Sequence, residues 1–310
     1  VSRAALRGLM PRDYEHPYDR RALAALESNT TLGMALGKLN QYGIDRVLRV
    51  QFAGSNVRAT RRSFGEACDA LAEVAAVLDC ARPPELYVDW DKKVRAHTIC
   101  TDRPLIVVTS QLLQTMTYDE LLFVLGHEVG HIKSRQIVYG QLALVLPVLG
   151  DILRTATLGI GGLVSGGLQL SLTNWQRMSD FSADRAGLLA CNSIEAAARA
   201  LIKLGGAPRE LSHAIDVAGF LGQARDFAGY DFETLDKLAR IVSALQGNQP
   251  WTVMRASEML KWHDSGATEA LVERLSRTPA VAGQDGSSAE GSHDTDVAVP
   301  VDRGGATGTT

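Results

Sequence analysis
This chain has no C-x-x-C pair, no glycine-rich nucleotide loop, no excess of basic charge and no internal repeat. Each absence removes a class of function. Its 32 Lys and Arg stand against 35 Asp and Glu, a formal net charge of -3, so no global positive field argues for a nucleic-acid partner. The four cysteines (Cys68, Cys80, Cys100 and Cys191) are scattered and read as free thiols of a reducing compartment rather than disulfides. The glycines at 159, 161, 162, 166 and 167 match no dinucleotide fingerprint and follow no strand. Residues 1–10 have no apolar core of signal-peptide length; residue 1 is Val rather than Met, which leaves open an upstream segment, a membrane anchor included.

The 310 residues that remain to be explained can form one large domain with a sizeable core. After an irregular lead-in over residues 11–18, apolar residues from Asp19 to about Tyr42 recur at helical spacing with a break near Ser28, which predicts two short helices. Ser63-x-x-Glu66 has the form of a capping box opening a helix to about Cys80. Past Pro83 and Pro84 the period changes. Residues 85–90, 96–100 and 105–109 read as three short strands of a small sheet. Thr117-x-x-Glu120 is a second capping box, opening a helix to about Arg135. Asn192-x-x-Glu195 has the pattern to cap a helix ending at Gly205 and Gly206, and further helices fit 210–223, 232–245 and 250–262.

Residues 136–176 are the most apolar stretch, charged only at Asp151 and Arg154. Two buried helices packed over the functional site are the favoured reading, with a membrane-dipping hairpin as the second. From Thr278 onward the composition is too poor in large apolar residues to bury a core, which predicts a disordered tail. The expected class is α+β, mainly helical, with a small sheet beside the site-bearing helix. The expected division is an N-terminal helical region over 1–80, a main domain over 81–277 and the tail over 278–310.

Within the expected helix 117–135 stands Leu125-Gly126-His127-Glu128-Val129-Gly130-His131, an H-E-x-x-H sequence. Residues i and i+4 share a helix face, so His127 and His131 can hold one metal ion, and Glu128 can reach a water bound to it. The flanks, Leu121 to Leu125, are core-like, and buried polar side chains in such a setting are costly without partners. Downstream, Asp180 and Asp184 are also four apart. A catalytic zinc takes three protein ligands and keeps an open position. Asp180 can supply the third, and Asp184 can orient a ligating histidine through its other ring nitrogen. Taken alone, two aspartates at that spacing are a solvated helix face.

Together, the strands over 85–109, the helix from Tyr118 to Ser134 and Asp180-Phe-Ser-Ala-Asp184-Arg-Ala-Gly187 resemble the HtpX/CAAX-prenyl-protease family of gluzincin metallopeptidases. The resemblance covers roughly residues 80–205, with a weaker echo at 250–262. It implies a zincin-like fold, one zinc ion per chain and endopeptidase activity. It implies the third ligand at Asp180, an orienting carboxylate at Asp184 and a retained arginine at Arg255. The sequence departs from the family at Asp180, where Glu is usual, at Arg95-Ala96-His97 ahead of the edge strand, and at Gln249-Pro250.

The function expected on these grounds is zinc-dependent hydrolysis of protein or peptide substrates, in protein quality control or processing. Glu128 is the catalytic base, and His127, His131 and Asp180 are the metal ligands. Arg255, His213 and Tyr230 are the candidates for an oxyanion donor. No nucleic-acid partner is expected, and the expected location is cytoplasmic, with membrane association through 136–176 under the second reading. The rival is a lapsed metallopeptidase fold serving as a binding scaffold.

Overall fold
The computed structural model describes residues 3–156, 161–229 and 252–277, with the backbone alone at 30, 148–156, 161–166, 209, 212 and 213. Residues 1–278 form one compact unit. The expected tail and the expected helix over 232–245 lie outside the described residues.

The N-terminal stretch is helical from the outset. A short α1 (Pro11–Tyr14) occupies part of the expected lead-in, because Pro11 suits a first helical turn. Helix α2 (Pro17–Glu27) starts on Pro17, and its N-cap His16 accepts the Tyr18 N–H through Nδ1. Helix α3 (Thr30–Gln41) is capped by the Asn29 side chain, so the break expected near Ser28 is there. Helix α4 (Ile44–Ser55) was not foreseen; it buries none of its residues fully and leaves Val47 and Val50 exposed.

Helix α5 (Gly65–Val77) is not opened by the expected capping box: its N-cap is Phe64, and the Ser63 hydroxyl bonds Thr60 in the preceding turn. The sheet has four strands rather than three, in the order β1-β2-β4-β3. The extra strand, β1 (Val57–Arg58), is two residues long and pairs antiparallel to β2 (Glu85–Asp89). β2 runs parallel to β4 (Leu105–Thr109), and β3 (Ala96–Ile99) lies antiparallel to β4. The unbroken apolar run of β4 is what a strand covered on both faces requires. Ile106 and Val108 join the main core beneath α5 and α7, while Leu105 and Val107 pack toward Leu48 and Phe52 of α4. β3 has a ladder partner on one side only, so its outer edge borders the site.

A short α6 (Ser110–Thr115) leads into α7 (Tyr118–Lys133). Here the capping box forms, with the Glu120 carboxylate accepting the Thr117 N–H at 2.8 Å. The same carboxylate takes buried Lys203 at 2.6 Å and so ties α10 (Ile194–Leu204) to the start of α7. The N-cap of α10 is Ser193 rather than Asn192, whose backbone adopts a positive φ of 50°. Leu121 to Leu125 and Val129 of α7 sit in the main core with Leu6, Leu9 and Tyr14.

The apolar stretch forms α8 (Ile137–Ala156) and the first part of a long α9 (Gly161–Cys191). The second of these continues without interruption into the segment carrying Asp180 and Asp184. Leu142, Leu146, Leu168 and Leu172 build a second core cluster with Leu26 of α2 and Leu39 of α3. Among the described residues no helix is long and apolar enough to cross a membrane. A 3-10 turn (Arg209–Ala214) and α11 (Val217–Phe227) stand where one helix over 210–223 was expected. Helix α12 (Thr252–Asp264) begins past Pro250, and α13 (Ala267–Ser276) ends the described chain.

Candidate metal centre
The site is made where α7 and α9 touch. Their contact is close because the facing side chains are small. A Cβ placed on Gly126 would stand 2.5 Å from the Ala190 Cβ, and one on Gly130 would stand 2.7 Å from that of Ala186. Such contacts admit only glycine and bring the two backbones within reach of short side chains. His127 and His131 project from α7 toward Asp180 and Asp184 on α9.

The donor pattern fixes which ring nitrogens face inward. His127 Nδ1 lies 2.9 Å from Asp184 Oδ1. Arg255 of α12 clamps that carboxylate, with Nε donating to Oδ2 at 2.8 Å and its NH2 group donating to Oδ1. Burial alone would raise the Asp184 pKa; the Arg255 charge and hydrogen bonds outweigh it and hold the group down at about 2. Asp184 therefore accepts, and His127 Nδ1–H donates. His131 Nδ1 lies 2.9 Å from Gln136 Oε1, and the Gln136 amide nitrogen donates to Asp19 Oδ2 at 2.7 Å. Burial pushes the Asp19 carboxyl up, by more than the hydrogen bonds from Ser182 and Gln136 pull it back.

Both Nε2 atoms consequently turn lone pairs toward one another, 3.1 Å apart. Asp180 Oδ1 faces the same point, 3.9 Å from His127 Nε2 and 3.7 Å from His131 Nε2. Three electron-pair donors converging in this way repel unless a cation lies among them. The pull toward positive charge is visible at His131. Burial disfavours its charge, yet the nearby Asp180 and Glu128 carboxylates push its pKa up to about 9.

The residues fit a zinc ion in size as well as type. The point equidistant from the three atoms is about 2.1 Å from each, against roughly 2.0–2.2 Å for zinc bonded to imidazole or carboxylate. The two histidines and Asp180 form a group able to hold a metal ion. Aspartate, although one methylene shorter than glutamate, reaches the shared point.

Glu128 is buried beside this point, and its Oε2 accepts the Thr98 hydroxyl at 2.7 Å. Thr98 comes from β3 and also reaches the Glu128 backbone carbonyl at 3.4 Å, so its hydroxyl joins the sheet edge to the site-bearing helix. A cleft of about 430 Å³ opens over the cluster, walled by His97, Thr98, Trp175, Arg177 and Arg255. Burial lowers the pKa of His97, which meets Phe52 edge to face.

His127, Glu128, His131, Asp180 and Asp184 are thus brought together as their spacing suggested. Arg255 joins them through Asp184. The His213 side chain and Tyr230 lie outside the described residues. Sequence reasoning missed Thr98, Gln136 and Asp19.

A family model for Peptidase family M48 matches residues 62–263. The chain belongs to that family. The M48 match runs from α5 into α12 and so takes in every residue of the donor cluster, leaving α2 outside it. A curated relative, "Plastoglobule-localized metallopeptidase 48, chloroplastic" of Arabidopsis thaliana, is 28% identical over 278 residues, covering 87% of this chain and 77% of its own. A second, "Protease HtpX homolog" of Thermoplasma volcanium, is 28% identical over 143 residues, covering 43% of this chain and 42% of its own. No solved structure matches. The resemblance to HtpX-like metallopeptidases and the mainly helical fold with a small sheet accord with this membership.

Proposed function
We propose that this M48 chain is a zinc-dependent endopeptidase, with His127, His131 and Asp180 as the metal ligands and Glu128 as the catalytic base. The observation that carries this reading is the three-donor cluster, whose centre lies about 2.1 Å from each atom. A bound zinc supplies an acidified water and polarisation of the scissile carbonyl.

The chain's own residues do the rest. Asp184 and Gln136 fix both imidazoles with Nε2 inward. Thr98 occupies one oxygen of Glu128 and leaves the other to take a proton from the attacking water. Glu128 then returns that proton to the leaving nitrogen. An extended substrate adds to the free edge of β3, held mainly through its backbone, which favours tolerance of side chains and suits quality control or processing. Arg255 is committed to Asp184, so it serves the site by holding that carboxylate rather than as an oxyanion donor.

We propose a cytoplasmic location. The Arabidopsis relative is named as chloroplastic and plastoglobule-localized. Fractionation of the native host separates a cytoplasmic pool from one retained on a lipid surface.

The deciding experiment pairs two variants with metal analysis. Purified wild type should carry one zinc per chain and cleave an unfolded protein such as casein. Glu128→Gln should keep the zinc and lose about four orders of magnitude in rate, the upper range for a general base. His127→Ala should lose both. A wild type with no stoichiometric zinc and no proteolysis that Glu128→Gln abolishes would leave the scaffold reading in its place.

A further inference from the structure
The second metal-facing histidine is not oriented by a neighbour on α9, as His127 is by Asp184. Its partner is an amide, Gln136 Oε1, at 2.9 Å. An amide has no charge with which to raise the basicity of the ring, and it can turn over. What fixes it here is Asp19, from α2. Asp19 Oδ2 accepts the Gln136 amide N–H at 2.7 Å and the Ser182 hydroxyl at 2.6 Å. Ser182 is held in turn, since its Oγ accepts the backbone N–H of His16 at 2.8 Å. A backbone N–H can only donate, and a carboxylate accepts. The hydrogen bonds therefore run from His16 through Ser182 to Asp19, and from His131 through Gln136 to Asp19.

Asp19, Ser182 and Gln136 are all buried. Asp19 Oδ1 is buried with no hydrogen-bond partner among the described residues. Leaving a carboxylate oxygen in that state carries a desolvation cost that no hydrogen bond offsets. A purely structural link between α2 and α9 could be made by an uncharged side chain without that cost. The charge has a use if its effect reaches His131.

We propose that Asp19 is a positioning residue for the metal centre, acting through Gln136 to keep His131 Nδ1 protonated and its Nε2 lone pair directed at the ion. Residue 19 lies outside the segment matched by the M48 model, so the N-terminal helix completes the centre from a part of the chain not matched by that model. In this respect His127 and His131 are alike: each is backed by a carboxylate, one directly and one through an amide. The proposal rests on the zinc reading above.

The test uses the full chain, prepared metal-free and titrated with zinc in competition with a chromophoric chelator. Asp19→Asn and Gln136→Leu should each weaken zinc binding about 10–100-fold, the range for loss of such outer partners. The double variant should be little worse than Gln136→Leu alone, because both changes break one path. Leu39→Ala, in the second core cluster, is the control for general loosening and should leave the zinc Kd unchanged. A second readout needs no metal. In histidine-labelled metal-free protein, His131 Nδ1–H should appear as a protected proton in the wild type and be lost to exchange in Gln136→Leu. A folded Asp19→Asn variant with zinc affinity within twofold of wild type would overturn the relay, as would equal weakening by Leu39→Ala or an unprotected Nδ1–H in the wild type. Should Asp19→Asn fail to fold, Gln136→Leu carries both readouts. A wild type that takes up no zinc would refute the parent reading, while the proton readout would still decide the relay.

Discussion
At the scale of single residues, the centre turns on length and on proton direction. Asp180 stands where glutamate is usual in the family it resembles, and the distances around it fit the shorter side chain as the proposed ligand. Its Oδ1 is already 3.7 and 3.9 Å from the two Nε2 atoms, near the ~3.4 Å separation of ligands about a tetrahedral zinc. An extra methylene would carry the carboxylate ~1–1.5 Å onward. Withdrawing α9 to make room would open the close contact of Gly126 and Gly130 with Ala190 and Ala186. Asp180→Glu should therefore weaken zinc binding at least about tenfold rather than improve it. Competition titration measures this, and equal or tighter binding by the variant would mean that reach does not set the choice. The residues proposed as ligands and support could be picked out in the sequence because a helix repeats its face at i+4. Both pairs, His127 with His131 and Asp180 with Asp184, use that spacing. Asp19, Thr98 and Gln136 were not legible. Asp19 and Gln136 are 117 positions apart, and Thr98 and Glu128 are 30 apart, across a strand-to-helix contact that no local pattern encodes.

At the scale of elements, the contact of α7 with α9 is the device that makes two helices into a site. Glycine at 126 and 130 lowers helix propensity by roughly 1 kcal/mol each relative to alanine. Gly126→Ala would recover that propensity but place a methyl 2.5 Å from Ala190 Cβ and 3.0 Å from Gly187 Cα. Neither neighbour has a flexible side chain that can swing aside, and overpacking of this kind costs about 1–3 kcal/mol. The clash should win, by up to about 2 kcal/mol. Chemical denaturation should show a lower midpoint with unchanged slope, and the same variant should bind zinc more weakly because α9 carries Asp180. A more stable Gly126→Ala protein would show that the two helices can move apart freely. Helix existence was read well from the sequence at this scale, because α7 combines a formed capping box with a strong apolar pattern. Caps misled in two places. Ser63 turns back to Thr60 rather than toward its helix, and Asn192 yields the cap to Ser193. At Ser63 the short polar side chain had a competing local partner, which sequence pattern alone does not rank. Strand β1 escaped notice because two residues show no period.

At the scale of the whole molecule, core and site are not separable. Helices α7 and α9 fill the main core and carry the five residues proposed as ligands, base and nearest support. Helix α12 adds Met259 and Leu260 to that core and Arg255 to the site. Helix α2 reaches the centre through Asp19 while its Leu26 packs in the second cluster. A ligand that binds the folded chain and not the unfolded one stabilises it by RT ln(1 + [L]/Kd), about 2.7 kcal/mol at 100 times Kd. For a chain of this size each kcal/mol is worth about 2–4 °C. Stripping the metal should therefore lower the midpoint by roughly 5–10 °C within one cooperative transition, and restoring zinc should bring it back. Hydrogen exchange locates the effect. If α2 is coupled to the ion through Asp19 and Gln136, its amides should slow on zinc addition together with those of α7 and α9. Slowing confined to α7 and α9, with α2 exchanging at the metal-free rate, would show that the N-terminal helix covers the core without sensing the centre. Asp19→Asn should produce that second pattern in an otherwise folded protein, because it keeps the packing of α2 while removing the charge that links it to His131.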